Sequence, residues 1–168
     1  SVWLDFIRRG HLLSGEFEAL VRDQGVVGVT SNPTIFQQAI TQSTDYDTAL
    51  GTLVAAGHDP ATIFDRLSIE DIQMACDGLK VAFDRTKGRD GYISIEVTPS
   101  KARDTKATIE EVRELWAKVN RKNLMVKIPA TKEGLPAIEQ MICEGMNINV
   151  TLIFSVPRYR EVADAYIA

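Results

Sequence analysis

Apolar and polar positions alternate in five short stretches of this chain, and between them the apolar positions recur at helical spacing. Val2 to Phe6 is the first alternating stretch, with Leu4 between Trp3 and Asp5. In the second, Val26 to Ser31, Val27 and Val29 alternate with Gly28 and Thr30, and Asn32 and Pro33 follow. The third, Tyr92 to Thr98, sets Ile93, Ile95 and Val97 against Ser94, Glu96 and Thr98. The fourth, Asn123 to Thr131, puts Leu124, Val126 and Ile128 on one side and Met125, Lys127 and Pro129 on the other. The fifth, Asn147 to Phe154, alternates Ile148, Val150 and Leu152 with Asn147, Asn149 and Thr151. Period two is the signature of a strand, because successive side chains point to opposite faces.

The intervening segments predict helices. Ser14 is expected to cap one that carries Phe17, Leu20 and Val21 and stops at Gly25. A long helical region follows Asn32-Pro33, with Tyr46, Ala49, Leu50, Leu53 and Val54 in phase and Gly57 as its stop. Pro60 opens a short helix with Ile63, Phe64 and Leu67. Ser68 and Asp71 then read as a capping box for a further helix with Ile72, Ala75, Cys76, Leu79 and Phe83 inward. Asp104 or Thr105 caps a helix carrying Ile109, Val112, Leu115, Trp116 and Val119. Leu135, Ile138, Met141 and Ile142 mark the next, which Gly145 stops, and Pro157 begins the last.

Strands that alternate with helices build parallel βαβ units, which places the chain in the α/β class. Parallel strands are normally apolar on both faces. Here one parity is polar, which suits a (β/α)8 TIM barrel: the apolar parity packs on the helices, and the polar parity gathers inside, near the strand C-terminal ends. About 250 residues are typical of that fold. The 168 residues here supply five strands and a helical insertion between strands two and three. Both ends look cut, so residues 1–168 are expected to be the N-terminal part of a single barrel domain.

Composition narrows the function classes. Apolar residues make up 45% and charged ones 25%, ordinary for a soluble domain with a real core. The net charge of −4, with no basic block, argues against nucleic acid or an anionic membrane as partner. No apolar run approaches a membrane span, and no signal peptide is visible. Two cysteines, Cys76 and Cys143, both fall in helical patterns and read as reduced, buried and structural; this fits a cytoplasmic protein. His11 and His58, expected at the surface, lie far apart, and no metal-ligand cluster is present.

Lys127 is the residue that needs a reason. A buried ammonium is costly unless paired, and a neutral lysine amine in a dry pocket attacks carbonyls. Asp5, Asn32, Glu96, Lys127, Asn149 and Thr151 all fall late in their strands or just beyond. A lysine with two carboxylates and hydrogen-bonding amides or hydroxyls suits imine chemistry. The amine condenses with a ketone, the protonated imine draws electrons from the adjacent carbon–carbon bond, and acid/base groups carry the protons. Taken singly, each residue also has a structural reading. A strand-end acid often caps a helix or pairs with a cation, Asn32 before Pro33 can shape a turn, and Lys127 can extend its charge into water.

Four segments, in order, resemble the transaldolase family. Gly28-Val29-Thr30-Ser31-Asn32-Pro33-Thr34-Ile35-Phe36 is similar to its second-strand signature, and Gly91-Tyr92-Ile93-Ser94-Ile95-Glu96-Val97 to its third strand. Met125-Val126-Lys127-Ile128-Pro129-Ala130-Thr131 resembles its Schiff-base motif, and Asn147 through Ser155 its fifth strand. The resemblance implies a Schiff-base enzyme of the pentose phosphate pathway. Such an enzyme moves a dihydroxyacetone unit from a ketose phosphate, such as sedoheptulose 7-phosphate or fructose 6-phosphate, to an aldose phosphate. It implies that Lys127 forms the imine and that Asp5 is the acid/base at the departing aldehyde's hydroxyl. Glu96 would work through a bound water that Thr151 helps to hold. Asn32 and Asn149 would hydrogen-bond the donor's hydroxyls. No metal or organic cofactor is implied; sugar phosphates are the implied partners.

The insertion between strands two and three is about sixty residues long, where a βα loop usually has two to six. That insertion and the carboxylate of Glu96 favour transaldolase over the compact fructose-6-phosphate aldolase type. They resemble the longer bacterial subgroup, some members of which are fused to an isomerase. The family's phosphate-binding serine and arginine belong to later strands. The remaining reading is an inactive half-barrel that serves as a binding or assembly module. An exposed edge on the fifth strand leaves a homo-oligomer open.

Overall fold

The computed structural model describes residues 1–168. Five strands form one sheet: β1 (Val2–Leu4), β2 (Val26–Thr30), β3 (Tyr92–Glu96), β4 (Leu124–Pro129) and β5 (Ile148–Thr151). Their order is β1-β2-β3-β4-β5, each strand beside its predecessor in sequence. The paired strands are parallel, with Val2 opposite Val26 and Leu4 opposite Val29 in the first pair. This sequential order is that of a partial (β/α)8 barrel. A doubly wound sheet would reverse direction at a switch point.

The chain forms two compact units that divide within β3. The first contains residues 1–93 and 121–123. After β1 come α1 (Arg9–Ser14) and α2 (Glu16–Asp23); β2 is followed by α3 (Pro33–Thr41), α4 (Asp47–Ala55) and α5 (Pro60–Arg85). Asn32 caps α3 by accepting from Ile35 N at 2.9 Å, with Pro33 in the first turn, where its missing N–H costs nothing. Gly28 on β2 faces the Trp3 ring of β1 so closely that a Cβ would lie 2.2 Å from it. A close approach of this kind is one reason for glycine within a strand.

Two expectations about the helices are corrected here. Ser14 ends α1, and Gly15 at φ 84° takes the cap position of α2, although the Ser14 hydroxyl still accepts from Glu16 N at 3.4 Å. The helices expected on either side of Ser68 are one continuous α5, capped at Asp59, whose carboxylate accepts from Ala61 N and Thr62 N. Nothing between Leu67 and Ile72 breaks a helix. Ser68 and Asp71 are buried in mid-helix, and the Asp71 carboxylate is turned to partners distant in sequence.

The second unit contains residues 94–120 and 124–168. A short 3-10 turn (Pro99–Lys101) follows β3, then α6 (Thr105–Val119), β4, α7 (Gly134–Cys143), β5 and α8 (Val156–Ile167). Asp104 is the cap of α6, accepting from Ala107 N at 2.9 Å, and Ser155 caps α8 through Arg158 N. Val112, Leu124, Val126, Ile128, Ile138 and Met141 are fully or almost fully buried, so the apolar parity of β4 does pack inward with α6 and α7. The fifth strand is shorter than its alternation suggested. It ends at Thr151, and Leu152 adopts φ 61°.

Cys76 is buried, and its thiol is pushed up to about 12 by that burial. Cys143 was expected in the core but is exposed at the end of α7. Its helix points Ala137, Ile138 and Met141 inward, and Cys143 falls off that stripe. No helix is long and apolar enough to cross a membrane.

Candidate active site

β4 carries the candidate nucleophile. Lys127 retains only 9% of its surface, although Ile128 and Val126 beside it are fully buried by packing of the other face. Such a lysine needs a counter-charge, and Glu96 at the end of β3 supplies one: Lys127 Nζ lies 3.4 Å from Glu96 Oε2. The backbone joins them as well, since Val97 N donates to Lys127 O at 3.2 Å. The solvent-snorkelling alternative for Lys127 therefore does not describe this side chain.

β5 adds two of the expected residues to this unit. Asn149 stands opposite Lys127 in the β4–β5 register, and Thr151 stands opposite Pro129. Register partners on neighbouring strands share a face, which places Asn149 beside the lysine. The Thr151 hydroxyl is buried and has no hydrogen-bond partner in the protein. A buried, unpaired hydroxyl costs free energy unless something else satisfies it, so it is suited to a ligand or an ordered water.

Asp5 and Asn32 belong to the first unit. Asp5 is exposed in the turn just beyond β1, in the position for a reactive carboxylate at a strand end. It lines a groove with Arg8, Gln38, Gln42 and Ser43. Asn32 follows β2 and uses its Oδ1 to cap α3, which leaves its Nδ2 donor for a ligand. Its structural reading is thus realised without excluding the other.

The framework behind the lysine could not be read from spacing. The turn after β4 is tied to the turn after β3: Thr131 Oγ1 donates to Ala102 O at 2.6 Å and accepts from Gly134 N at 2.9 Å. Thr105 Oγ1 donates to Glu133 O at 2.7 Å. Glu111 on α6 holds the end of β3 by accepting from Thr98 N at 3.1 Å, and it pairs with Lys101 at 3.5 Å. Gly134 is required at its position, because a Cβ there would lie 2.2 Å from Pro129 O. Asn123, immediately before β4, is buried and donates to Cys76 O and Gly91 O at 2.8 and 2.9 Å. These are hydrogen bonds between segments far apart in sequence, and residue type alone does not announce them.

No group of three or more His, Cys, Asp or Glu side chains is placed to hold a metal ion. The sequential strand order defines a partial barrel-type α/β protein, a fold that carries its active sites at the strand C-terminal ends. Comparison with known proteins agrees. The family model described as transaldolase/fructose-6-phosphate aldolase matches residues 2–168, and this chain belongs to that family. It is 52% identical over 166 residues to a transaldolase of Acidothermus cellulolyticus, covering 99% of this chain and 45% of the relative. It is 48% identical over 167 residues to a transaldolase of Mycobacterium tuberculosis, again covering 99% and 45%. Transaldolase 2 of Nostoc punctiforme is 46% identical over 167 residues, covering 99% of this chain and 44% of the relative. The chain thus spans less than half the length of these relatives.

Proposed function

We propose that the protein is a Schiff-base transaldolase of the pentose phosphate pathway and that Lys127 forms the imine. The observation that carries this reading is the buried pairing of Lys127 Nζ with Glu96 Oε2 at 3.4 Å. A carboxylate at that distance can take a proton from the ammonium, or return one, while the amine adds to a ketone and water leaves. The protonated imine then accepts the electrons of the neighbouring carbon–carbon bond. Asp5 takes the proton from the hydroxyl on the departing carbon, which leaves as an aldehyde. The enamine that remains on Lys127 adds to the carbonyl carbon of an aldose phosphate, whose oxygen takes up a proton. Water then releases the new ketose phosphate. In this reading Asn149 and the Nδ2 of Asn32 hold the donor's hydroxyls, and Thr151 holds the water through which Glu96 works.

Named relatives support transfer over simple aldol cleavage, as do the three helices α3, α4 and α5 between β2 and β3. Sugar phosphates are the partners that this reading requires, and the cytoplasm is its compartment. The exposed side chains of Phe154, Val156, Tyr166 and Ile167 support self-association of the 168-residue chain. The test is product formation by the full-length protein from fructose 6-phosphate, with and without an aldose phosphate. Turnover that depends on the acceptor is expected. Equal release of glyceraldehyde 3-phosphate without acceptor would favour the aldolase, and no turnover would favour a binding module.

A further inference from the structure

α1 begins four residues after Asp5 and does not cap itself. Arg8 is its cap residue, extended at φ −153°, and makes no side-chain cap hydrogen bond. The first N–H groups of a helix need partners, and a six-residue helix has little stability of its own. The partners come from the two residues just before α4. Arg9 N donates to Tyr46 Oη at 3.1 Å, and Gly10 N donates to Asp45 Oδ2 at 3.1 Å. Asp45 also pairs with Arg8 Nε at 3.0 Å. A Cβ on residue 10 would lie 2.5 Å from Asp45 Oδ2, so glycine is what lets the carboxylate reach the helix end.

Tyr46 is itself held. Its ring has no exposed surface, and its hydroxyl donates to Asp71 Oδ2 at 2.6 Å. Arg9 Nε donates to the other oxygen of Asp71 at 2.7 Å, and Arg9 Nη2 donates to Leu67 O and Glu70 Oε2. Asp71 is fully buried, and both of its oxygens are taken up by Arg9 and Tyr46. The turn that carries Asp5 is therefore fixed at one end by the pairing of Leu4 with Val29 and at the other by a cap supplied from the insertion.

We propose that Asp45, Tyr46 and Asp71 are positioning residues for Asp5: the helical insertion after β2 caps α1 from a distance and thereby fixes the carboxylate that moves the proton during bond cleavage. This rests on the role given to Asp5 above. A small displacement of a proton-transfer group is costly, because catalysis by proximity depends on sub-ångström placement.

The experiment is a double-mutant cycle in the full-length protein with Tyr46→Phe and Asp5→Asn, and with Asp45→Ala as a milder second route to the same cap. Tyr46→Phe is expected to lower kcat on the order of tenfold. KM for the donor and the Lys127 adduct trapped with borohydride should be nearly unchanged. In the Asp5→Asn background the same change should cost almost nothing further, since it acts through the missing carboxylate. Equal losses in both backgrounds, in folded protein, would overturn the proposal and leave the network purely structural. Failure of the functional reading looks different: the unmodified protein would give neither adduct nor transfer.

Discussion

Lys127 on β4 and Glu96 on β3 form an ion pair at 3.4 Å in a largely buried setting, with side chains 11% and 18% exposed. In most places such a pair is a poor investment, because desolvation of both charges offsets their attraction. It makes sense where a proton has to move between an amine and a carboxylate. Glu96→Gln keeps the shape but removes the proton acceptor. The expected result is a fall in kcat of roughly 10²–10⁴-fold with a much smaller change in donor KM. Steady-state kinetics on the full-length protein would show it, and a kcat within a factor of about two would contradict the assigned role.

Gly134→Ala tests the support behind the lysine. The added methyl meets Pro129 O, two residues beyond Lys127, and the turn cannot yield freely because Thr131 is bonded to Ala102 O. Overpacking of this kind costs about 1–3 kcal/mol. Denaturant melts should show the loss, and kcat should fall further than stability alone explains.

Asp71→Ala should be among the most destabilising single changes in the first unit. It leaves the buried Arg9 guanidinium without its main partner and the Tyr46 hydroxyl without an acceptor. Breaking a buried pair from one side costs about 3–5 kcal/mol. Urea unfolding would measure it; a loss below about 1 kcal/mol would mean that Glu70 and Leu67 O hold Arg9 unaided.

Acid should act through Asp59, the cap of α5. Hydrogen bonds from Thr62 and from backbone N–H groups hold its carboxyl below the ordinary value of 3.8. A depressed folded-state pKa gives stability that is present above the unfolded value and lost as pH falls through the folded one. Asp59→Ala should therefore lower Tm by a constant amount at neutral pH, and the two proteins should converge as pH drops below 3.8. A Tm difference that persisted at pH ~2 would show that the cap does not depend on the charge.

What could be read from the sequence was whatever depends on local periodicity. The parity of Ile93, Ile95 and Val97 against Ser94 and Glu96 located a strand, and the same logic put Lys127 and Asn149 on the polar parity of theirs; that the two stand opposite each other is a matter of register, which only the structure gives. Boundaries set by local chemistry, such as Asn32-Pro33, Asp104 and Gly145, were also visible. Features that depend on partners distant in sequence were not. Asp71 resembles a cap residue three positions after Ser68, yet its carboxylate serves Arg9 and Tyr46. Tyr46 reads as one apolar position of a helix, whereas its hydroxyl joins α1 to α5. The exposure of Cys143 follows from the width of the buried stripe on α7, which a ten-residue helix does not define sharply.

The central claim is that Lys127 forms the imine. The full-length protein would be incubated with fructose 6-phosphate, reduced with borohydride and digested, and the modified peptide located by mass spectrometry, with Lys127→Ala as control. The account predicts one dihydroxyacetone-derived adduct on the peptide containing Lys127 and none in the variant. Donor turnover by folded protein with no adduct, or with the adduct on another lysine, would contradict it.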